Sequence, residues 1–185
     1  MSSGSKIIAI SGVSGSGKTT VTKSLGERLM NSTLLFFDGY SWKNSPDDLV
    51  KWVNDGADYD LWDLEPLIND VINFLESEDP PAFVLLDYPF SYKNQSLRYL
   101  IDLSIYIDTP LDIAMGRRIL RDYNNEPSSE IQKDLTFYLE EGRAAYKEME
   151  TTIKRDADLI VDGTLPSDRI IELILDELNL RWQEA

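Results

Sequence analysis

Two residue types that carry much of protein chemistry are missing from this 185-residue chain: it has no cysteine and no histidine. Without thiols there is no disulfide framework and no zinc-thiolate site. Without imidazoles, His general bases, His metal ligands and every Ser-His-Asp arrangement drop out. Positive charge is scarce as well: Lys and Arg total 18 against 33 Asp and Glu, a formal net charge of −15. That balance argues against a nucleic-acid partner, since a phosphate backbone needs a basic surface, and against anionic membranes. No apolar run is long enough to span a bilayer. The opening Met1–Ser5 is polar, with no signal-peptide core. The expectation is a cytoplasmic protein. With 42% hydrophobic and 28% charged residues, the composition is that of an ordinary globular chain, and the length predicts a single domain over 1–185.

Against that background one run stands out. Gly12, Val13, Ser14, Gly15, Ser16, Gly17, Lys18 and Thr19 fit G-x-x-x-x-G-K-[ST]. The apolar stretch Lys6–Ser11 before it reads as a buried strand. Thr19 to Met30 after it, with Val21, Leu25 and Leu29 on one face, reads as a helix. Strand, Gly-rich loop and helix make a phosphate-binding P-loop. The chemistry requires these residue types. Glycines let the backbone wrap a triphosphate with N–H groups, and the helix N-terminus adds partial positive charge. Lys18 bridges β- and γ-phosphates as a point charge, and the Thr19 hydroxyl suits Mg²⁺, a hard cation that takes oxygen ligands. Thr20 counts with the loop. The reading is a nucleoside triphosphate- and Mg²⁺-binding site, a local positive pocket in an acidic protein.

Four more strands follow, Thr33–Asp38, Ala82–Asp87, Leu103–Asp108 and Asp158–Val161, with helices between them. A short helix through Val53 is capped by Ser45 or Asp47, and others run over Leu64–Leu75, from Pro110 or Asp112 to about Tyr123, over Ser129–Arg155, and from Ser167 to about Leu178. Alternation of this kind predicts an α/β, three-layer P-loop NTPase fold: a five-stranded parallel sheet with helices on both faces and a small helical lid at about 117–130.

In such sheets ligands bind at the carboxyl ends of the strands. Asp38, Asp87 and Asp108 are the acids there, and Asp38 and Asp87 are the companions expected for the P-loop. In phosphoryl transfer one carboxylate orients or deprotonates the attacking hydroxyl and another helps hold Mg²⁺. Met115–Asp122 gathers Arg117, Arg118 and Arg121 in an otherwise acidic chain. Arg117 and Arg121, four apart, share a helical face and suit a clamp on the transferring phosphates. The alternative is a salt-bridged face with Asp112 and Asp122.

Taken together, the P-loop, the strand ending in Asp38-Gly39-Tyr40, the "WDLEPL" segment, "IDLSIYIDTPLDIAMGRRILRD" and "YLEEGRAAYKEM…KRDADLIVDG" resemble the uridine kinase and phosphoribulokinase-like P-loop kinases, which include the nicotinamide riboside kinases. The resemblance spans roughly Lys6 to Gly163. It implies that Asp38 is the catalytic base toward the substrate hydroxyl and that Arg117, Arg118, Arg121 and Asp122 are the lid residues. It implies further that Asp63 is a substrate-side acid, that Arg143 faces the phosphates, that Asp87 lies near Mg²⁺ and that Asp162-Gly163-Thr164 packs on the adenine. The chain departs from the family in three places: Leu75–Leu86 is too short for the inserted pyrimidine-reading hairpin, Tyr123–Pro127 replaces "ERGR", and Asp38-Gly39-Tyr40 replaces "DSFY" or "DDFF".

Aromatics near the expected acceptor site are Tyr40, Trp42, Tyr59, Trp62, Tyr88, Phe90 and Tyr92; two or three would touch substrate, with Tyr40 and Tyr88 favoured because they flank Asp38 and Asp87. The expected activity is transfer of the γ-phosphate of ATP to a hydroxyl of a small-molecule acceptor, a nucleoside or nucleoside-like metabolite, with Lys18, Asp38, Arg117 and Arg121 catalytic. The competing reading is a nucleotide-binding regulatory or ATPase module with no acceptor. A GTPase is disfavoured because the N-K-x-D guanine motif is absent.

Overall fold

The computed structural model describes residues 4–182; the first three residues of the polar Met1–Ser5 opening lie outside them. Five strands, β1 (Lys6–Ser11), β2 (Ser32–Phe36), β3 (Phe83–Asp87), β4 (Leu103–Asp108) and β5 (Leu159–Asp162), form one parallel sheet in the order β2-β3-β1-β4-β5. The expected α/β architecture is present. β1 sits at the centre because Ile7, Ile8, Ala9 and Ile10 are apolar in an unbroken run and can be covered on both faces. Its alternation divides the interior in two. Ile7 and Ala9 point into one core with Val84, Leu86 and Tyr106. Ile8 and Ile10 point into the other with Leu85, Ile105 and Ile107. Each fully buried Ile or Leu contributes about 1.5–3 kcal/mol.

The second core is closed by α1 (Lys18–Arg28) through Val21 and Leu25 and by α8 (Ser167–Trp182) through Ile170, Ile171, Ile174 and Leu178. The first is closed by α3 (Glu65–Leu75) through Leu67 and Val71, and by a layer of aromatic loops. Helix α2 (Leu49–Asn54) is capped by Asp48, whose side chain accepts from the Lys51 N–H at 2.9 Å, rather than by Ser45 or Asp47. Helix α4 (Leu111–Asp122) follows β4.

The long helix read over Ser129–Arg155 is one continuous run at 128–156, but not a uniform one. It is assembled from α5 (Ser128–Phe137), α6 (Arg143–Glu148) and α7 (Lys154–Asp156), joined by π-helical turns at Tyr138–Gly142 and Met149–Ile153. Such turns re-aim the residues around them and recur at functional sites.

Candidate active site

The loop between β1 and α1 adopts the conformation its glycines allow. Gly12, Gly15 and Gly17 have φ of 146°, 82° and 105°. At Gly15 a Cβ would stand 2.0 Å from the Ala114 carbonyl oxygen of α4, so only glycine fits. The first turn of α1 has neither a capping side chain nor an acidic residue. Its orphan N–H groups and the dipole are therefore left for an anion. Gly15, Gly17, Lys18, Thr19, Thr20, Arg117 and Arg121 line a cleft of about 300 Å³. The structure thus brings Arg117 and Arg121 of α4 to the P-loop. Arg117 donates to the Gly163 carbonyl at 3.0 Å and the Ser16 carbonyl at 3.5 Å. Arg121 reaches Ser14 Oγ at 3.5 Å and is otherwise paired with Asp122. Arg118 turns away, ion-paired to Asp134 of α5.

Both expected carboxylates stand beside Lys18. Asp87 ends β3, is 6% exposed, and accepts from Thr19 Oγ1 at 2.5 Å. Burial pushes its carboxyl up, against the pull of Lys18 and the Thr19 hydroxyl, while Asp38 adds to the rise. Lys18 is pushed down, again by burial first, with Asp87 and Asp38 opposing and Arg121 assisting. Asp38 is not on β2, which stops at Phe36; it sits on the following 3₁₀ turn, Phe37–Gly39. That turn leaves its carboxylate exposed. Asp108 is spent elsewhere, holding Lys154 Nζ at 2.7 Å.

A second cavity, of about 320 Å³, opens on the other side of Lys18. Lys18, Asp38 and Asp87 form its polar end. Its walls are Phe37, Trp52, Tyr59, Trp62 and Phe90, with Ala145, Glu148 and Met149 of the long helix across from them. The rings brace one another: Trp52 meets Tyr59 edge-on at 5.0 Å, and Phe90 lies 5.0 Å from Trp62 and 5.2 Å from Phe37. A larger cleft of about 480 Å³ between α2 and α5–α6 shares Leu49 and Ala145 with it but has no P-loop residue.

Several expected residues do not line this cavity. Tyr88 is fully buried behind the cavity wall, its ring 5.6 Å from Phe90 and 6.0 Å from Phe37, so those two rings stand between it and the cavity. Tyr40 points to Asp70, bonded at 2.6 Å, and Tyr92 to Asp158 at 2.5 Å. Asp63 accepts from the Glu65 N–H at 3.2 Å at the start of α3. Arg143 is exposed, with no hydrogen bond or ion pair among the described residues. Thr164 bonds to Asp162 through N and Oγ1 at 2.8 and 2.6 Å. Trp52 and Glu148 went unread as site residues. No local signal marks them, since they come from segments almost a hundred residues apart.

A P-loop, a strand-end carboxylate pair and an arginine-bearing helix on a five-stranded parallel sheet define a P-loop kinase. No protein-family model matches the chain. The uridine kinase of Borrelia turicatae (strain 91E135) is 30% identical over 202 aligned positions, covering 97% of this chain and 97% of that protein. The uridine kinase of Bacillus subtilis (strain 168) is 28% identical, covering 94% of this chain and 93% of its own. Among solved structures, deoxyadenosine kinase from M. mycoides with bound dATP has a TM-score of 0.57 at 20% identity, with 94% of this chain and 99% of that chain covered. Shikimate kinase from Aquifex aeolicus has a TM-score of 0.54 at 18% identity, with 97% and 99% covered; both show a shared fold. This chain belongs to the uridine kinase family and is an ATP-dependent small-molecule kinase. A regulatory nucleotide-binding module without an acceptor is not favoured. No described helix is long and apolar enough to cross a membrane.

Proposed function

We propose that the acceptor is a nucleoside and that its hydroxyl is phosphorylated at the junction of the two clefts. The observation that carries this reading is that Lys18 borders both, so a γ-phosphate held by Lys18 faces the aromatic cavity. Five aromatic walls suit a flat ring. Asp38, at the polar end, accepts the proton of the attacking hydroxyl, the role open to a carboxylate in a chain without histidine. Lys18, Arg117 and Arg121 offset charge on the transferring phosphoryl group. Arg121 does so by exchanging Asp122 for phosphate as the 117–130 segment closes and excludes water.

The oxygens of Thr19 and Asp87, 2.5 Å apart beside the P-loop, fit Mg²⁺. No group of three or more acids gathers into an all-protein metal cage among the described residues. One hydroxyl, one carboxylate, phosphate oxygens and waters are the donor set Mg²⁺ takes in phosphoryl-transfer sites. Bound there, Mg²⁺ would offset negative charge on the nucleotide phosphates.

ADP release measured against nucleosides, pantothenate and sugar phosphates, with Asp38→Asn as control, tests the reading. Stimulation by nucleosides alone is expected. If no nucleoside raises ADP release above the ATP-only rate, the proposal fails.

A further inference from the structure

We propose that Glu148 selects the acceptor: it accepts a hydrogen bond from an N–H of the nucleoside base, and it closes the site to acceptors that carry negative charge. This rests on the aromatic cavity being the acceptor site.

Glu148 is an acid in an apolar place. It faces a cavity walled by Phe37, Trp52, Tyr59, Trp62 and Phe90. No ion pair is formed by its carboxylate among the described residues. Its side chain meets the Tyr59 hydroxyl, 3.4 Å from Oε1, a long bond that Thr152 Oγ1 contests at 3.2 Å from the same hydroxyl. A partly enclosed carboxylate held this loosely has acceptor capacity left over for a ligand. Its position is built into the helix. Glu148 is the last residue of α6, and the π turn Met149–Ile153 begins directly after it. Ala145, Glu148 and Met149 all meet the cavity, so the wall facing the rings carries one charged group.

The charge balance of the lining settles the sign of the ligand. Asp38, Asp87 and Glu148 are the acids and Lys18 is the lone base of the lining, and Lys18 is engaged by the triphosphate. A phosphorylated or carboxylate-bearing acceptor would enter with no cation to meet it, at a cost that contacts with aromatic rings do not offset. A base that carries no negative charge and donates an N–H satisfies Glu148 while its faces lie against the rings.

The test pairs substrate and side chain in a cycle. Uridine is compared with its ring-N-methylated form, and cytidine with its form dimethylated on the exocyclic amine. Binding in the presence of ADP is read by quenching of tryptophan fluorescence, since Trp52 and Trp62 line the cavity, and turnover by ADP release. Methylation is expected to weaken binding by the wild-type protein about tenfold or more for at least one pair, and less than about twofold in Glu148→Ala. Glu148→Gln keeps an acceptor oxygen and is expected to retain part of the penalty with ATP affinity unchanged, which separates recognition from damage to the fold. Orotidine, a uridine with a ring carboxylate, is expected neither to bind nor to react. Equal methylation penalties in wild type and Glu148→Ala overturn the proposal, as does binding of orotidine as tight as that of uridine. Nucleosides that bind with a Glu148-dependent penalty but release no ADP uphold the selection and sink phosphoryl transfer to nucleosides. Turnover with equal penalties does the reverse, and binding by none of the nucleosides sinks both.

Discussion

The side-chain hydroxyl of Thr109, the residue after β4, donates to the Ser16 carbonyl of the P-loop at 2.9 Å. Thr109 is 2% exposed, and its oxygen sits where a Cβ on Gly163 would come within 1.9 Å. The loops after β1, β4 and β5 are therefore locked at one point. Replacing Thr109 by Val leaves a buried carbonyl without that donor and is expected to cost about 1–3 kcal/mol, read as a lower denaturation midpoint together with weaker ATP binding.

The same contact sets a second expectation. Gly163→Ala forces its methyl into Thr109 Oγ1 and to within 2.9 Å of the Ile107 side chain, and should destabilise the fold by about 1–3 kcal/mol. Combined with Thr109→Ala, which removes that oxygen, the loss should be smaller than the sum of the two single losses. Additive melting shifts would show that the loops are not in contact.

Gly15 makes a sharper claim. Its φ is 82°, and a Cβ there would lie 2.0 Å from the Ala114 backbone oxygen, so no side-chain rearrangement admits a methyl group. Gly15→Ala should push α4, with Arg117 and Arg121, off the P-loop. The expected outcome is loss of measurable ATP binding by calorimetry, whereas Gly39→Ala, where a Cβ meets nothing within 4 Å, should bind ATP as the wild type does.

Lys18 gives the pH dependence. Its ammonium is pushed down from the ordinary lysine value, first by burial and partly by Arg121. Phosphate binds the charged form, so affinity for metal-free ADP should fall as pH rises, starting below the usual lysine range near 10.4. Because bound phosphate favours the charged form, binding at mildly alkaline pH should take up protons. Calorimetry in buffers of different ionisation enthalpy measures that uptake; proton release, or none at all, would contradict the direction.

The sheet and the P-loop were legible in the sequence because both are local patterns: apolar runs such as Leu103–Asp108, and glycines at fixed spacing before Lys18-Thr19. Alternating strands and helices then left little choice of topology. The acceptor side was not legible for the same reason. Adjacency to Asp38 and Asp87 favours Tyr40 and Tyr88, yet the Tyr88 ring fills the core behind Phe37 and Phe90, and the turn after β2 sends the Tyr40 hydroxyl to Asp70. Trp52 and Glu148 face one cavity only because α2 packs against the long helix, and the π turn after Glu148 has no sequence signature.

Asp38 and Asp87 flank the same lysine, yet their surroundings assign them different work, and kinetics can tell the two apart. Asp38 is exposed on a 3₁₀ turn at the mouth of the aromatic cavity, where it can touch an acceptor hydroxyl. Asp87 is buried and bonded to Thr19, where it can touch Mg²⁺. Asp38→Asn should lower kcat roughly 100- to 10,000-fold, leaving the Mg²⁺ concentration for half-maximal rate unchanged. Asp87→Asn should raise that Mg²⁺ concentration about tenfold or more, with part of the lost rate recovered at high Mg²⁺. Thr19→Ala should resemble Asp87→Asn, and the double variant should be little worse than either, because each side chain serves one shared site. A Mg²⁺ titration of steady-state ADP release on the wild type and the four variants decides it. If Asp38→Asn is the variant rescued by Mg²⁺, the two roles are exchanged.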